Sequence, residues 1–481
     1  MAAKDKERFQ SPGDFFVDGV MIVGSSGARV NVTAQIRELN IYQNINSPFM
    51  SGNLLLADSQ GIAELLPLLG QERLLFKLRT PGHSSHIDFN NYHAIIYNVE
   101  KRFHTTEREQ SFLLNWTTID HYKNIRTKIS ESFKGTISEI VTKILRDENY
   151  LGTKKAINIE KTQNIRKFVF PNINPFQAIL LVKEEALSEG EKAPHFLFYE
   201  NPEGYHFRSL DSQIGQLGTL NVPHKRTYKY QPPKSTGKSD PEKALNTILS
   251  WSVSDNSNSF FNTRHGMYAS TLFYHDIFNK NIKEFEYNYT RDKIGKRNST
   301  NQESKNVGSI IAQTKIDMGK KLDEFPYTKV FVHPTGSKKL YFEGDDKGSD
   351  NNAEEWLQES RSRALEREYF TLKIETYGDT NMMVGDMINV VIPSNKPLAP
   401  PIVRASIDPI LSGRYLITQL HHLVVPTDQR HVMSMMIMKD SLVSASVVKD
   451  LQLPEVKQGA SDIGLKRTKD SLTTRTTKPG T

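Results

Sequence analysis

The sequence of 481 residues contains no cysteine. This absence excludes disulfide bonds, cysteine nucleophiles and thiolate metal sites, and it fits assembly in a reducing cytoplasm. The sequence also lacks any run of about 18 apolar residues, so we expect no membrane-spanning helix. The first residues are polar and charged, and they lack the apolar stretch of a signal peptide.

A strong excess of one charge is lacking too. Lys and Arg total 62 against 55 Asp and Glu, a formal net charge of +7 for the whole chain. A nucleic-acid-binding protein usually concentrates basic residues on one face, whereas much of the excess here lies in polar stretches. The charge therefore argues against a basic module that recognises a nucleic-acid sequence.

Catalytic motifs are scarce as well. The sequence has no H-E-x-x-H, no phosphate-binding P-loop and no G-x-S-x-G. The adjacent histidines His421 and His422 point to opposite faces if they lie on a strand, so both cannot hold one ion, although a following hairpin can bring His431 near one of them. The adjacent carboxylates at 184–185 and 354–355 point in different directions on helices, whereas paired acid–base catalysis needs carboxyls that face each other. We expect no catalytic, cofactor or metal site and no enzymatic activity.

The sequence does contain many short runs with the pattern of β-strands. Residues 14–122 show six runs with period-two alternation, separated by glycine-rich turns, and these predict a small closed barrel. Residues 123–215 predict an α+β domain. Thr136 or Ser138 can cap one of its helices, Asn174-Pro175 is a typical helix start, and Asn201 to Gly204 predict a hairpin turn.

The second half of the sequence predicts another β region. Residues 216–244 are predicted to be a linker, and 245–445 a second barrel that contains an inserted loop (291–349) and a helix (352–368). Residues 1–13 are expected to be flexible, and 446–481 to be disordered or bound to a partner. The predicted fold class is mainly β, with two small antiparallel barrels and an α+β insertion.

Methionines cluster in the second β region, and either core or interface packing explains them. An interface is favoured because both faces of the strand that carries most of them are apolar, and an antiparallel strand of this kind needs cover on both sides. The candidate interface residues are Met382, Met383, Met433, Met435, Met436 and Met438.

The order of these elements resembles the baseplate hub protein of contractile-tailed bacteriophages, or myoviruses, and the core that it shares with type VI secretion spike proteins. The resemblance covers roughly residues 14–445. It is carried by 51–76, by the α+β segment with NPFQAILLVKEEAL, and by the helix at 352–368 with the strands after it. The most specific part is that helix followed by Tyr-Gly-Asp, Val-Gly-Asp-Met-Ile and Gly-Arg-Tyr.

The resemblance implies a structural virion protein with two tube-domain barrels per chain. Three chains would form a pseudo-hexameric homotrimer that adapts the six-fold tail tube to the three-fold central spike. Its implied partners are the tail tube protein, the central spike protein and other baseplate proteins. DNA would only pass through the lumen, and the particle would be assembled in the host bacterial cytoplasm. The alternative left open is a wall-degrading hydrolase of the same tail particle.

Overall fold

The computed structural model describes residues 11–442 except for several short segments. The segments left out are 63–65, 67, 84, 107–108, 216–221, 231–243, 257, 277–279, 295, 302–306, 318, 336–351 and 395–406. The predicted flexible residues 1–10 and the predicted tail at 446–481 lie outside the described residues.

The first β region forms a barrel whose apolar side chains face inward. Alternating residues such as Leu74, Phe76 and Leu78 are fully buried in its core. Its strands are β1 (Phe16–Val23), β2 (Arg29–Asn31), β3 (Ile36–Asn44), β4 (Ser51–Asp58), β5 (Arg73–Arg79), β6 (His86–Asp88), β7 (Ala94–Thr106) and β8 (Glu109–Thr118). Hydrogen bonds connect six of them in the order β1-β5-β7-β8-β4-β3. A 3-10 turn at Thr33–Gln35 precedes β3, and the amide of Val32 bonds to the carbonyl of Val20 on β1.

An α+β domain follows, with its own core. Its elements are α1 (Ile119–Arg126), β9 (Ser132–Gly135), α2 (Ile137–Arg146), β10 (Ile157–Ile159), β11 (Arg166–Val169), α3 (Pro175–Lys183), β12 (Phe196–Asn201), β13 (Gly204–Ser209) and α4 (Leu210–Ile214). Thr136 caps α2 in a capping box with Glu139. Asn174 precedes α3, and its amide donates to the side chain of Gln177 at 3.3 Å. Both predicted helix starts are confirmed.

The second β region closes into a complete ring of hydrogen-bonded strands. Its strands are β14 (Arg226–Tyr230), β15 (Thr247–Asn256), β21 (Phe370–Tyr377), β22 (Met387–Val391), β23 (Gly413–Val425) and β24 (Arg430–Met438). They pair in the order β14-β22-β23-β24-β21-β15, and β15 returns to β14. A 3-10 turn, Pro426–Asp428, joins the last two strands. The predicted mainly-β fold class, with barrels and an α+β insertion, is confirmed.

Between β15 and β21 the chain forms a further unit. It contains α5 (Ser259–Arg264), β16 (Ala269–Asp276), β17 (Asn281–Asn288), α6 (Tyr289–Asp292), α7 (Val307–Ala312), β18 (Lys315–Asp317), β19 (Lys320–Lys321), two 3-10 turns (Leu322–Glu324 and Pro326–Thr328), β20 (Val330–Thr335) and α8 (Ala353–Arg367). The sheet β17-β16-β20 packs on α8 through Leu272 and Trp356. Asn352 stands at the start of α8 but makes no capping bond, because its backbone is left-handed (φ +43°).

Two segments differ from their predicted character. Arg226–Tyr230, within the predicted linker, is strand β14, and part of the predicted loop 291–349 forms β20, which pairs with β16. Both strands pair in parallel with a neighbour from elsewhere in the chain, so local composition does not reveal them. The predicted division of the chain into domains stays a prediction.

Candidate assembly interface

The two barrels are joined by one strand pair. Strand β23 pairs with β22 only as far as Leu416, and beyond that point the edge is taken by β3 of the first barrel. The pairing runs from Gln419 opposite Asn44 to Val424 opposite Leu39. The amide of Ile45 also donates to the carbonyl of Thr418 at 2.9 Å. We call this β3–β23 pairing the internal seam.

The outward face of the internal seam is polar. The rings of Tyr42 and His421 stack with centroids 4.6 Å apart. His421 Nε2 lies 2.6 Å from the amide oxygen of Asn40, whose nitrogen donates to Asn53 on β4. Burial lowers the pKa of His421, which favours the neutral ring. Side chains from both barrels therefore bond across the seam.

The inward face of the seam carries a histidine pair. His422 Nδ1 lies 3.1 Å from His431 Nε2, and both rings are fully buried. Burial lowers both pKa values, that of His431 to about 3, so the pair is neutral. The predicted opposite orientation of His421 and His422 is confirmed, and His431 approaches only the latter. Among the described residues, no group of three His, Asp or Glu side chains could hold a metal ion.

The two barrels share one strand order. In both, the strand order is the same when β1, β3, β4, β5, β7 and β8 are matched with β14, β15, β21, β22, β23 and β24. The matched strand pairs are antiparallel in both barrels, with one exception. Strand β1 is antiparallel to β5 in the first barrel, whereas its counterpart β14 is parallel to β22 in the second. The structure thus contains the same strand order twice, with β14 reversed relative to its counterpart β1.

Matching β-bulges fix the correspondence at single residues. Strand β7 is bulged at Tyr97, directly after Ile96, which lies opposite Trp116. Its counterpart β23 is bulged at Thr418, directly after Ile417, which lies opposite Ile437. Strands β3 and β15 are also both bulged, between Ile36 and Glu38 and between Ile248 and Ser250. Because a bulge shifts the register by one residue, the shared bulges align the two barrels around these positions. Strand β7 has further bulges, between Glu100 and Phe103 and between His104 and Thr106, and β15 has one between Val253 and Asp255, and these have no counterpart in β23 or β3.

The outer strands of the continuous sheet have open edges. Hydrogen bonds link β7-β8-β4-β3-β23-β24-β21-β15 in one chain. Within the described part of the chain, β7 from Asn98 onward and β15 from Ser250 onward pair with a strand on one side only. Apolar side chains are exposed there, including Phe103 (50% exposed) and Val253 (40%). Open edges with exposed apolar residues are suited to pairing with another strand.

The methionines predicted as an interface lie mostly in the core. Met382, Met433, Met435 and Met438 belong to the second barrel's core, and Met383 is also buried. Only Met436 is half-buried, because β24 alternates between an inward and an outward face from 433 to 437. The strand pairs with β21 and β23 and not with the first barrel, so it does not form the seam between the barrels. An interface role stays a prediction for Met436.

The α+β domain bridges the two barrels at one end of the internal seam. The buried carboxylate of Glu200 accepts hydrogen bonds from the amide of Met50 (3.1 Å) and the hydroxyl of Thr118 (2.8 Å), both in the first barrel. In the same domain, Gln213 donates to the carbonyl of Gly385 in the second barrel. The seam is therefore held by strand pairing and by a third domain.

The adjacent carboxylates considered as acid–base pairs have other surroundings. Glu185 forms an ion pair with Arg166, whereas Glu184 is exposed and lies 3.6 Å from Lys183. Glu354 and Glu355 both lie in the first turn of α8. No helix among the described residues is long and apolar enough to cross a membrane.

Comparison with solved structures gives matches over most of the chain. The tail protein from Neisseria meningitidis MC58 is 12% identical, with a TM-score of 0.49, and the match covers 89% of this chain and 97% of that one. The 43 kDa tail protein of prophage MuSo2 from Shewanella oneidensis is 8% identical, with a TM-score of 0.49 and coverages of 88% and 99%. The E. coli c3393 protein, described as a component of the type VI secretion system similar to the T4 tail proteins gp27 and gp5, is 10% identical (TM-score 0.41; coverages 89% and 77%).

No protein-family model and no curated protein matches the sequence. The three solved structures described above are two phage-type tail proteins and a type VI secretion component.

Sequence reasoning missed the residues that define the open edges. Phe103 and Val253 look like ordinary strand residues, and their exposure follows only from which strand edges the fold leaves unpaired. The available signal was the length of β7 and β23, 13 residues each, which exceeds that of every other strand in the described residues. A strand of that length can pair with two successive neighbours on one edge.

Proposed function

We propose that this protein is a structural baseplate hub that forms a trimeric ring of six barrels. In this role it joins the six-fold tail tube to the three-fold central spike, contacts other baseplate proteins and lets DNA pass through its lumen. The observation that carries the proposal is the duplicated barrel with one seam closed inside the chain and the matching edges left open.

The internal seam supplies the template for the contact between chains. It joins β3 of one barrel to β23 of the next, and the counterparts of these strands are β15 and β7. Repeating the same contact pairs β15 of one chain with β7 of the following chain. A head-to-tail contact of this kind either closes into a ring or continues as a filament. Since each chain spans two barrels, closure after three chains gives six similar positions.

The shared bulges predict the register of this external seam. Matched through their partner strands, Ser252 is the counterpart of Asn40, and Phe103, which lies just beyond a bulge that β23 lacks, is the counterpart of Leu423. Asn40 and Leu423 lie directly opposite each other in the internal seam. We therefore place Ser252 of one chain opposite Phe103 of the next.

The lumen in this proposal is lined by the outward face of the continuous sheet. That face carries neutral polar side chains such as Asn53, Asn115 and Ser252, together with charges of both signs such as Glu38 and Lys373. A mixed surface does not hold the phosphate backbone strongly, because DNA affinity rises with the number of basic contacts. This composition is compatible with DNA as passing cargo.

A disulfide tests the external seam directly. The chain has no cysteine, so the double variant Ser252→Cys with Phe103→Cys introduces only the intended thiols. Directly opposed residues of an antiparallel pair have Cβ atoms about 4.5–5.5 Å apart, which a disulfide can bridge with slight adjustment. After mild oxidation, we expect covalently linked dimers and closed trimers of the double variant on a non-reducing gel. Each single variant has only one cysteine per chain and should run as a monomer on the same gel, even when it assembles into the ring.

The internal seam provides the matched control. The variant Asn40→Cys with Leu423→Cys should form its disulfide within one chain and add no higher band. If this control oxidises while Ser252→Cys with Phe103→Cys yields no linked chains at any concentration, the proposed ring is wrong. A ladder that continues beyond three chains would instead indicate a filament and would also contradict the trimer.

A further inference from the structure

Two equivalent loops differ sharply in exposure. Each barrel has a loop before its fourth matched strand, with a left-handed glycine at Gly70 (φ +89°) or Gly385 (φ +93°). In both loops a carboxylate-bearing residue follows, and its carbonyl accepts from the next strand: Ile96 to Glu72 (2.9 Å) and Ile417 to Asp386 (3.0 Å). One residue separates Gly70 from Glu72 but none separates Gly385 from Asp386, so this match pairs Gly70 with Val384. It pairs Leu69 with Met383, which is 3% exposed.

In the second barrel the loop is covered by the same chain. The amide of Val384 donates to the side chain of Gln43, at the end of β3 (3.2 Å), and its carbonyl accepts from Asn201 of the α+β domain. Gln213 covers the adjoining glycine. As a result Val384 is only 1% exposed.

In the first barrel the equivalent loop is fixed by hydrogen bonds but is exposed to solvent. The buried carboxylate of Glu72 accepts hydrogen bonds from the amides of Leu69 (2.7 Å), Gly70 (3.0 Å) and Gln71 (3.1 Å). The Leu69 side chain is nevertheless 80% exposed, and Tyr97, the bulge residue beside the loop, is 53% exposed. An apolar side chain fixed in solvent at a position that is buried in the twin barrel is suited to contact with a partner.

The external seam determines which residues arrive at this loop. The strand alignment makes Asn256 the counterpart of Gln43, the residue that meets Val384 in the internal seam. Helix α5 starts three residues after Asn256, and its Phe260 is 79% exposed. The α+β domain covers the loop at the internal seam. Helix α5 follows the end of β15, the strand that forms the external seam in the proposed ring.

We infer that Phe260 of one chain docks against Leu69 and Tyr97 of the next chain in the ring. The occupant is a second copy of this chain, because the patch continues the edge of β7 and the phenylalanine continues β15. The contact buries three apolar side chains that are exposed in the single chain, and it locks the ring in addition to the strand pairing. The inference rests on the proposed ring.

Coupled truncations test the contact in the full-length chain. Phe260→Ala and Leu69→Ala should each weaken association of the chains about tenfold in sedimentation velocity, as expected for a central apolar contact. The double variant should weaken association by much less than the product of the two single effects, because each substitution removes the same contact between the two side chains. Val169→Ala, which alters an exposed valine on β11 of the α+β domain, should leave association unchanged.

A cross-link separates this inference from the ring itself. Phe260→Cys with Leu69→Cys should be joined between chains by a short bis-maleimide. If the disulfide of the Ser252→Cys, Phe103→Cys variant forms but this link does not, and the alanine effects multiply independently, the docking contact is wrong while the ring stands. If neither link forms, both proposals are wrong.

Discussion

At the scale of single residues, close contacts in the second barrel leave no room for larger side chains. Gly378 follows β21 and lies against the ring of His431. A Cβ atom at Gly378 would overlap with the imidazole ring of His431. The amide of Gly378 also donates to the carbonyl of His431 at 2.9 Å. The glycine is required here by a packed neighbour, since its backbone conformation is open to other residues.

Replacing Gly378 by alanine should lower the free energy of unfolding by about 1–3 kcal/mol, the range for overfilling a packed core. Gly190→Ala is the matched control, because nothing lies within 4 Å of a Cβ atom built there. Its effect in urea denaturation should stay within about 0.5 kcal/mol. Equal effects of the two substitutions would contradict the contact.

The buried histidine pair should make stability depend on pH. Burial lowers the pKa of His431 to about 3 from its usual 6.5, so below pH 6.5 the unfolded chain binds a proton that the folded chain does not. Stability contributed by this group is therefore complete above pH 6.5 and falls by about 1.4 kcal/mol per pH unit as the pH drops towards 3.

The variant His431→Gln should reduce the slope of the free energy of unfolding against pH by about 1.4 kcal/mol per pH unit between pH 4.5 and 6.5. The free energy is measured by urea denaturation. His104→Gln, which alters an exposed histidine on β7, should leave the slope as it is. An unchanged slope in His431→Gln would show that His431 is not held neutral by the fold.

At the scale of elements, a buried charge cluster fixes α8 to the second barrel. Lys293, just after α6, pairs with Glu366 of α8 and with Asp440 beyond β24 (3.3 Å). Arg363 of α8 pairs with Glu366 and with Asp211 of α4. Burial acts to raise the pKa of Asp440, but Lys293, Arg363 and bonds from Thr300 lower it to about 2. Four elements thus meet in one ionic network.

Lys293→Met should destabilise the chain by about 3–5 kcal/mol, because removing one partner leaves buried carboxylates with less compensating charge. The comparison variant is Lys296→Met, whose ammonium is exposed and lies 4.0 Å from Asp292. It should cost less than about 1 kcal/mol, as for surface ion pairs. If Lys293→Met proves as mild as Lys296→Met in urea denaturation, the network does not hold these elements together.

Local patterns predicted some elements well and others poorly. The helix starts at Thr136 and Asn174 and the β12–β13 hairpin depend on neighbours in sequence, so the sequence predicts them. Strand β14 and the burial of Met433 depend on pairing with distant segments, so they appear only in the fold. The same holds for the interface: the resemblance predicts a ring, but open edges can be identified only once the strand order is known.

At the scale of the whole molecule, duplication links the internal structure to the proposed assembly. One chain contains two barrels of the same strand order, one seam between them, and two open edges that match that seam. Within the chain the seam is supported by the α+β domain. In the proposed ring, Phe260 and the Leu69 loop, both exposed in the single chain, take that role at the open edges. The described part of the chain therefore contains one formed seam, and the proposed ring repeats that seam between neighbouring chains.

The variant Val253→Glu should block assembly without unfolding the chain. Val253 is partly exposed on the open edge of β15, so a carboxylate is tolerated in the single chain but is buried in the external seam. We expect the variant to remain monomeric in light scattering with a melting temperature within a few degrees of the unmodified single chain. Val169→Glu, at an exposed position of the α+β domain, should still assemble.

The central claim is that three chains close into a ring. Light scattering on the purified full-length chain across a wide concentration range measures the molar mass directly. The proposed ring predicts a species of three chain masses, each 54.8 kDa, that does not grow further as the concentration rises. A mass that stays at one or two chains at every concentration, also in the presence of a tail tube or spike protein, would contradict it.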